Sequence, residues 1–182
     1  RQPLDIAIEL QEKKRVQPKY IDECSILFSD FAGFTQLTEN ISPKNLIDLL
    51  HQIFCKFDEI CKKNEVEKIK TIGDSYMCVS GVVGKKKDHA NRLCKVAKEM
   101  LTYLDKTNFQ RSKLRMPTWE MRIGIHTGPV ICGVVGDDKF TFDVWGDTVN
   151  TASLMEQNSE PGKINISENT YLHIKKNISC IE

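Results

Sequence analysis

Residues 24–35, CSILFSDFAGFT, place an apolar run directly before an acidic residue and a glycine-containing turn. The apolar part, residues 24–29, predicts a buried strand that ends at Asp30. Beyond the turn, Pro43 opens a segment whose apolar residues recur with helical period as far as Phe57. The fold is therefore expected to begin with a strand, a turn and a helix that packs on the sheet.

Turn signals and periodicity downstream extend this pattern. A strand pair is predicted at residues 66–71 and 76–79, because the intervening residues 72–75, IGDS, are typical of a hairpin. The further elements are predicted as a helix at 90–104, strands at 120–126 and 130–135 joined by a turn at 127–129, a strand at 140–145, a helix at 147–155, and a strand at 164–166 before a polar helix. The order strand, helix, hairpin, helix, strand predicts an α+β fold with a ferredoxin-like βαββαβ core and a C-terminal elaboration.

Composition narrows the classes of function. The 182 residues are enough for one domain with a buried core, and their formal net charge of +1 gives no basic field, so we expect no nucleic acid partner. No apolar run approaches the ~18 residues of a membrane span. The seven cysteines form no CxxC pair, so they predict neither a disulfide framework nor a zinc site. A reducing, cytoplasmic setting fits best.

Two acidic residues far apart in the sequence are predicted to meet in the fold. Asp30 ends the first strand, and Asp74 lies in the turn between the second and third. The first and third strands of a ferredoxin-like sheet are antiparallel neighbours, so the end of one lies beside the start of the other. Adjacent carboxylates repel unless a cation neutralises them, and oxygen ligands suit Mg²⁺ or Mn²⁺. Two such ions can support phosphoryl transfer.

A phosphate-binding loop is predicted beside the two carboxylates. Residues 31–35 run into a helix start, where backbone N–H groups can face phosphate oxygens and a glycine permits close approach. The candidate substrate-binding residues in this loop are Ala32, Gly33, Phe34 and Thr35. Taken singly, each aspartate is more often a helix cap or a turn residue. The residues alone indicate metal-dependent phosphate chemistry, a class that includes polymerases and cyclic dinucleotide synthases.

Four segments in order resemble the motifs of class III adenylyl and guanylyl cyclases. They are residues 28–35 (first metal motif), 68–77 (second metal motif), 122–130 with 133–136 (dimer-forming hairpin region), and 142–153 (purine and ribose segment). The resemblance covers about residues 20–175 with family-like spacing, which makes chance agreement of four motifs improbable. It implies a catalytic domain that forms head-to-tail dimers with active sites at the interface.

The resemblance also implies which residues bind the metal ions and which parts of each active site come from each subunit. One subunit supplies the carboxylates Asp30 and Asp74, with the Phe31 carbonyl as a further ligand, for two Mg²⁺ or Mn²⁺ ions. The other supplies the base pocket and the ribose contacts. Because this chain carries both sets, the resemblance implies a homodimer with two equivalent sites.

Lys70 and Asp143 occupy the positions that the resemblance assigns to base reading. Lysine only donates hydrogen bonds and ionised aspartate only accepts them. Adenine offers an acceptor at N1 and a donor at its amine, whereas guanine offers the reverse, so the pair predicts ATP as substrate. Guanylyl members typically carry glutamate and cysteine there. Without the resemblance, the two residues would be a surface lysine and a solvated turn acid.

One departure from the family affects the expected rate. Asn150 matches the ribose-orienting asparagine, but Leu154, one helical turn later, stands where the family usually has an arginine that stabilises the transferring phosphates. Loss of one such donor costs about 3–4 kcal/mol. We therefore expect a weakly active adenylate cyclase. The alternatives are a guanylate cyclase with an altered pocket and a nucleotide-binding pseudo-cyclase that regulates a partner.

The domain boundaries follow from the same comparison. Residues 1–20, with a short helix predicted at 3–14 and a linker at 15–20, resemble the connection from an upstream signalling region. Residues 21–182 are expected to form the catalytic domain without the family's last strand pair. This organisation implies an upstream sensor in a longer protein and a cytoplasmic catalytic domain, an arrangement that includes membrane-attached receptors. His126 is assigned to packing or to the dimer interface.

Overall fold

A computed structural model describes residues 17–39, 41–84, 87–136 and 140–181. The helix predicted at residues 3–14 lies outside this part of the chain. The elements within it are β1 (Lys19–Phe31), α1 (Phe34–Thr38), α2 (Pro43–Lys63), β2 (Glu67–Ile72), β3 (Ser75–Ser80), α3 (His89–Lys113), β4 (Met121–Val135), β5 (Thr141–Trp145), α4 (Asp147–Gln157), β6 (Ile164–Ile166) and α5 (Glu168–Ile174).

The strands form one mixed sheet in the order β2-β3-β1-β4-β5, with β6 pairing in parallel with β4. The central strand β1 is antiparallel to both β3 and β4. The four strands β2-β3-β1-β4 reproduce the ferredoxin-like order, while β5, α4 and β6 supply the extra C-terminal part. The predicted α+β class and core topology are confirmed.

Each face of the sheet buries a separate apolar cluster. Leu27 of β1 joins the larger cluster with Phe57 of α2 and Met100 of α3, all fully buried. The next residue towards the N-terminus, Ile26, points to the other face, because successive side chains of a strand alternate. That face is covered by α4 through the fully buried Ala152. β1 is therefore packed on both faces between helices, and these contacts also fix the position of Asp30 near its end.

The turn predicted at residues 127–129 is wrong, because β4 is a single strand that runs through it. Thr127 and Gly128 pair with residues of β1, and the register of that pairing shifts between Ile21 and Cys24. Pro129, which has no N–H to donate, lies opposite this bulge, where sheets tolerate proline. A Cβ at Gly128 would lie 2.7 Å from Thr148 Oγ1, so the glycine serves the packing of α4 rather than a turn.

The start of β1 also differs from the expectation. The linker predicted at residues 15–20 overlaps the strand, which already begins at Lys19. Lys19 and Tyr20 pair with the far end of β4. If residues 127–129 formed a hairpin turn, β1 could pair only with the residues before that turn. Because β4 is continuous, its residues beyond 129 also pair with β1, and β1 is correspondingly longer.

Candidate active site

The sheet brings the two predicted carboxylates together. Ser29 of β1 lies opposite Tyr76 of β3, so the next residue, Asp30, lies at the β2–β3 turn that contains Asp74. Ser75 Oγ donates to Asp30 Oδ1 at 3.0 Å. Asp30 lies close enough to Asp74 to raise its pKa, and both side chains line the same cleft. Antiparallel register thus places residues from distant parts of the chain at one sheet edge.

Burial and the neighbouring Asp30 change the protonation of Asp74. Burial, followed by the hydrogen bond and the charge of Asp30, raises the pKa of Asp74 to about 6. A shared proton relieves the repulsion that two bare charges would suffer at this separation. A divalent cation relieves the same repulsion more effectively, and its preference for oxygen ligands fits this donor set. The residues present therefore fit a magnesium or manganese site.

The predicted phosphate loop lies against the same two side chains. Gly33 has φ 68°, a left-handed conformation that glycine adopts without strain, and it precedes α1 without any side-chain cap on the first turn. The rings of Phe31 and Phe34 pack edge-on against the buried Trp119, with centroids 5.1 and 5.7 Å away. These contacts fix the loop while leaving the first-turn N–H groups of α1 without a side-chain acceptor.

The loop and the carboxylates line one open cleft of about 360 Å³. Thr35 and Asp74 both belong to its wall. The backbone N–H of Ala32 donates to the Glu120 carbonyl at 2.9 Å, so it is already used within the protein. Among the predicted loop residues, Gly33, Phe34 and Thr35 therefore remain the better placed to meet a phosphate.

Sequence reasoning missed an ion-pair chain behind Asp30. Arg122 of β4 places Nη2 3.4 Å from Asp30 Oδ2 and Nε 3.0 Å from Glu156 Oε1. The second pair is within ion-pair distance, but its N–H is not aligned on the carboxylate oxygen. Burial raises the pKa of Glu156, which is 6% exposed on the inner face of α4. The clue in the sequence is a glutamate at a buried helix position, which requires a partner.

The two predicted base-reading residues are in direct contact. Lys70 Nζ donates to Asp143 Oδ2 at 2.5 Å, although β2 and β5 are at opposite ends of the strand order. The sheet must curl for its two edges to meet in this way. Asp143 Oδ1 accepts a second bond, from its neighbour Val144 N at 2.9 Å, which fixes the carboxylate. The pair presents one donor group and one acceptor group side by side.

Asn150 and Leu154 both lie exposed on α4, one turn apart and therefore on the same face. Leu154 is 54% exposed. Within the described part of the chain, no hydrogen bond or ion pair links Asn150 to the Asp30–Asp74 pair. The contacts thus join predicted site residues into two sets, the carboxylates with their loop, and Lys70 with Asp143.

Comparison with known proteins gives the family. The model of the adenylate and guanylate cyclase catalytic domain matches residues 16–181. The chain belongs to this family. An adenylate cyclase of Mycobacterium tuberculosis is 40% identical over 178 residues, which are 95% of this chain and 38% of that protein. The chain spans 11% of the length of one curated relative, an adenylate cyclase type 9 of Xenopus laevis, and 38% of the mycobacterial enzyme.

Solved structures of both cyclase types share the fold. The adenylyl cyclase CyaB from P. aeruginosa superposes with a TM-score of 0.85 at 30% identity, covering 91% of this chain and 86% of that one. The guanylate cyclase domain of RhGC from Catenaria anguillulae, solved in complex with GTP, gives a TM-score of 0.79 at 35% identity, covering 86% and 84%. The family generally uses divalent metals. Among the described residues of this chain, no helix has the length and apolarity to cross a membrane.

Proposed function

We propose that this cyclase domain converts ATP to 3′,5′-cyclic AMP and pyrophosphate. The observation that carries the proposal is the contact between Lys70 and Asp143. In that arrangement the ammonium group can donate to adenine N1 and the carboxylate can accept from the adenine amine. Guanine would set donor against donor and acceptor against acceptor. Buried polar mismatches of this kind reject a wrong substrate by up to about 10⁴-fold.

The catalytic centre in this proposal is built from Asp30, Asp74 and the Phe31 carbonyl, which would hold two Mg²⁺ or Mn²⁺ ions. The ions would supply Lewis acidity, for the ribose 3′-hydroxyl and for the leaving pyrophosphate. Gly33 and its neighbours in the loop orient the phosphates through backbone N–H groups. Asn150 orients the ribose. The hydrogen bond from Ser75 holds the Asp30 carboxylate in place.

We further propose a homodimer with two equivalent sites, each combining the carboxylates of one chain with α4 and the base pair of its partner. The exposed positions of Asn150 and Leu154 support this arrangement, because both side chains are accessible to a second chain. Large apolar side chains on the same molecule are also exposed, among them Ile72 at 57%, Ile131 at 47% and Trp145 at 39%. A partner chain would remove this apolar surface from water. An upstream sensor in a longer protein would then act by setting how the two domains meet.

Two other functions each have one supporting observation. Guanylate cyclase activity through an altered pocket is favoured by the similarity to the RhGC domain solved with GTP. A nucleotide-binding pseudo-cyclase is favoured by Leu154, which cannot stabilise phosphate charge. The clustered Asp30 and Asp74 argue against the second, because a binding module gains nothing from two repelling carboxylates.

The direct test is product identification with the purified chain. ATP and GTP are supplied separately with Mg²⁺ and with Mn²⁺, and the cyclic nucleotides are quantified by mass spectrometry. We expect cyclic AMP as the main product, and we expect Asp74→Ala to abolish it while the thermal unfolding midpoint stays near that of the parent. Cyclic GTP as the main product would reject the ATP assignment. No product under any condition would favour the pseudo-cyclase.

A further inference from the structure

A second cluster of metal-ligating side chains lies away from the catalytic cleft. Glu23 of β1, His89 at the start of α3 and His173 near the end of α5 place their ligand atoms within 4.8 Å of one another. His89 Nε2 lies 3.1 Å from Glu23 Oε1, and His173 Nε2 lies 3.2 Å from Glu23 Oε2. The two imidazole rings are 5.2 Å apart. Three elements of the fold thus bring two histidines and one carboxylate close together.

The distances suit a small tetrahedral ion. Bonds of ~2.0–2.1 Å from zinc to imidazole nitrogen and carboxylate oxygen separate neighbouring ligands by about 3.3 Å in a tetrahedron. The two nitrogen–oxygen separations of 3.1 and 3.2 Å are close to that value. These separations involve different oxygens of Glu23, and the three ligand atoms lie within 4.8 Å of one another, so the exposed Glu23 and His173 side chains must both turn inward for a single ion. Their exposure to solvent leaves them free to make that movement.

A buried hydroxyl chain supports the protonation state that a metal ligand needs. His89 Nδ1 lies 2.8 Å from Ser25 Oγ, which lies 2.7 Å from Thr127 Oγ1, which in turn lies 3.0 Å from Thr170 Oγ1. The chain continues through Ser167 Oγ to Nδ1 of His126. Ser25 Oγ is free to accept from His89 Nδ1 because it can itself donate to Thr127 Oγ1. In that tautomer a metal ion bound at Nε2 takes the place of the proton shared with Glu23.

Packing fixes His89 and leaves the other two residues open to solvent. A Cβ at Gly81 would lie 3.1 Å from Cβ of His89, so the imidazole occupies space that only glycine leaves free. The side chain of His89 is 5% exposed, whereas those of His173 and Glu23 are 35% and 51% exposed. This combination gives a rigid buried ligand, a route for an ion from water, and room for a water molecule as the fourth ligand.

We propose that Glu23, His89 and His173 bind one zinc ion, completed by water, at a site separate from the catalytic carboxylates. Glu23 precedes Asp30 by seven strand residues, which is roughly 23 Å of extended chain. The ion would join β1, α3 and α5, three elements that are distant in sequence. Since β1 also ends at the catalytic carboxylate, zinc would stiffen the strand that carries the active site.

The test uses the whole chain with Mg²⁺ in excess, so that the catalytic carboxylates are occupied. Zinc is titrated by calorimetry, its effect on the thermal unfolding midpoint is recorded, and Co²⁺ is used as a probe whose visible absorption reports tetrahedral nitrogen and oxygen ligation. We expect one zinc per chain, a rise in the unfolding midpoint that saturates at that ratio, and tetrahedral cobalt bands. Absence of zinc uptake under these conditions would overturn the proposal.

Variants distinguish zinc binding at this cluster from zinc binding at other histidines. His173→Gln and Glu23→Gln change exposed side chains and should weaken zinc binding about 100-fold or more, because loss of an outer hydrogen-bond partner alone costs about 10–100-fold. Ser25→Ala, which removes such an outer partner, should cost about tenfold. His51→Gln is the matched control, since His51 lies on α2 beside Cys55 and outside the cluster. Zinc binding that is lost in His51→Gln but retained in His173→Gln would place the ion elsewhere and refute the assignment.

Discussion

The substitution Leu154→Arg tests the proposed mechanism most sharply, because it adds a group that the site lacks. Leu154 is 54% exposed on α4, on the same face as Asn150 and one turn beyond it. Its side chain contributes little to the core, so its replacement should change the free energy of unfolding by less than about 0.5 kcal/mol. An arginine here would extend from the helix face that the proposed dimer directs at the partner's phosphates.

The expected gain follows from the cost of losing a transition-state donor elsewhere. Removal of one preorganised donor lowers kcat by about 10²–10³, equivalent to about 3–4 kcal/mol. Introducing a donor that is not fully preorganised should recover part of this, so we expect kcat for cyclic AMP formation to rise by at least about tenfold. KM for ATP should change less, because the interaction strengthens mainly as phosphate charge develops. The assay is initial-rate cyclic AMP production with Mn²⁺ and saturating ATP.

Gln157→Arg provides the matched control, since Gln157 is exposed on the same helix and the change adds the same charge one turn further from Asn150. If both variants raise kcat equally, the effect is general electrostatic attraction of ATP. If Leu154→Arg folds and dimerises like the parent yet leaves kcat unchanged, the role assigned to this position is wrong.

Three further predictions address packing, specificity and ionisation. Gly124→Ala should destabilise the domain by about 3 kcal/mol or more in urea unfolding, because the new Cβ would lie 1.9 Å from the backbone of α4, whereas Gly133→Ala on the same strand meets no atom within 3.6 Å and should be tolerated. Lys70→Glu combined with Asp143→Cys should shift the ratio of kcat/KM from ATP towards GTP by roughly 10²-fold or more, and an unchanged ratio would remove the base-reading role of the pair. In metal-free buffer, the folded-state pKa of Asp74, raised to about 6 from 3.8, means that the parent loses stability as pH rises through this window. Asp74→Asn should escape that loss, which amounts to about 1–2 kcal/mol after solvent screening, and equal pH profiles of the two proteins would contradict the raised pKa.

The central topology was predictable because it depends on local patterns. Period-2 and period-3.6 apolar runs located the strands and helices, and the ferredoxin-like order predicted which strands are neighbours. The predicted pairing of the first and third strands was enough to expect Asp30 beside Asp74, and the two residues are neighbours in the structure. The error at residues 127–129 arose because glycine and proline are ordinary turn residues. In β4 the glycine instead makes room for a helix packed on the strand, and the proline lies opposite a bulge in the neighbouring strand. Neither the helix contact nor the bulge can be recognised in the local sequence.

Other contacts could not be read from the chain because their partners share no local pattern. The Arg122–Glu156 pair joins a strand to a helix, and although the helical position of Glu156 indicates that it needs a partner, nothing in the sequence identifies that partner as Arg122. The cluster of Glu23, His89 and His173 was likewise missed. A search for metal motifs in sequence depends on short, fixed spacings, and these ligands come from three separate elements.

The sequence by itself determined the order of strands and helices outside the single strand β4, the resemblance to the family, and the residue types available for metal, phosphate and purine. Those properties follow from short-range periodicity and from motifs whose residues are adjacent in the chain. Only the tertiary structure decided that Lys70 touches Asp143 across a curled sheet, and that Asn150 and Leu154 of α4 are exposed. The physical reason is that sheet curvature and helix packing result from all the buried contacts together, so no single segment contains the information.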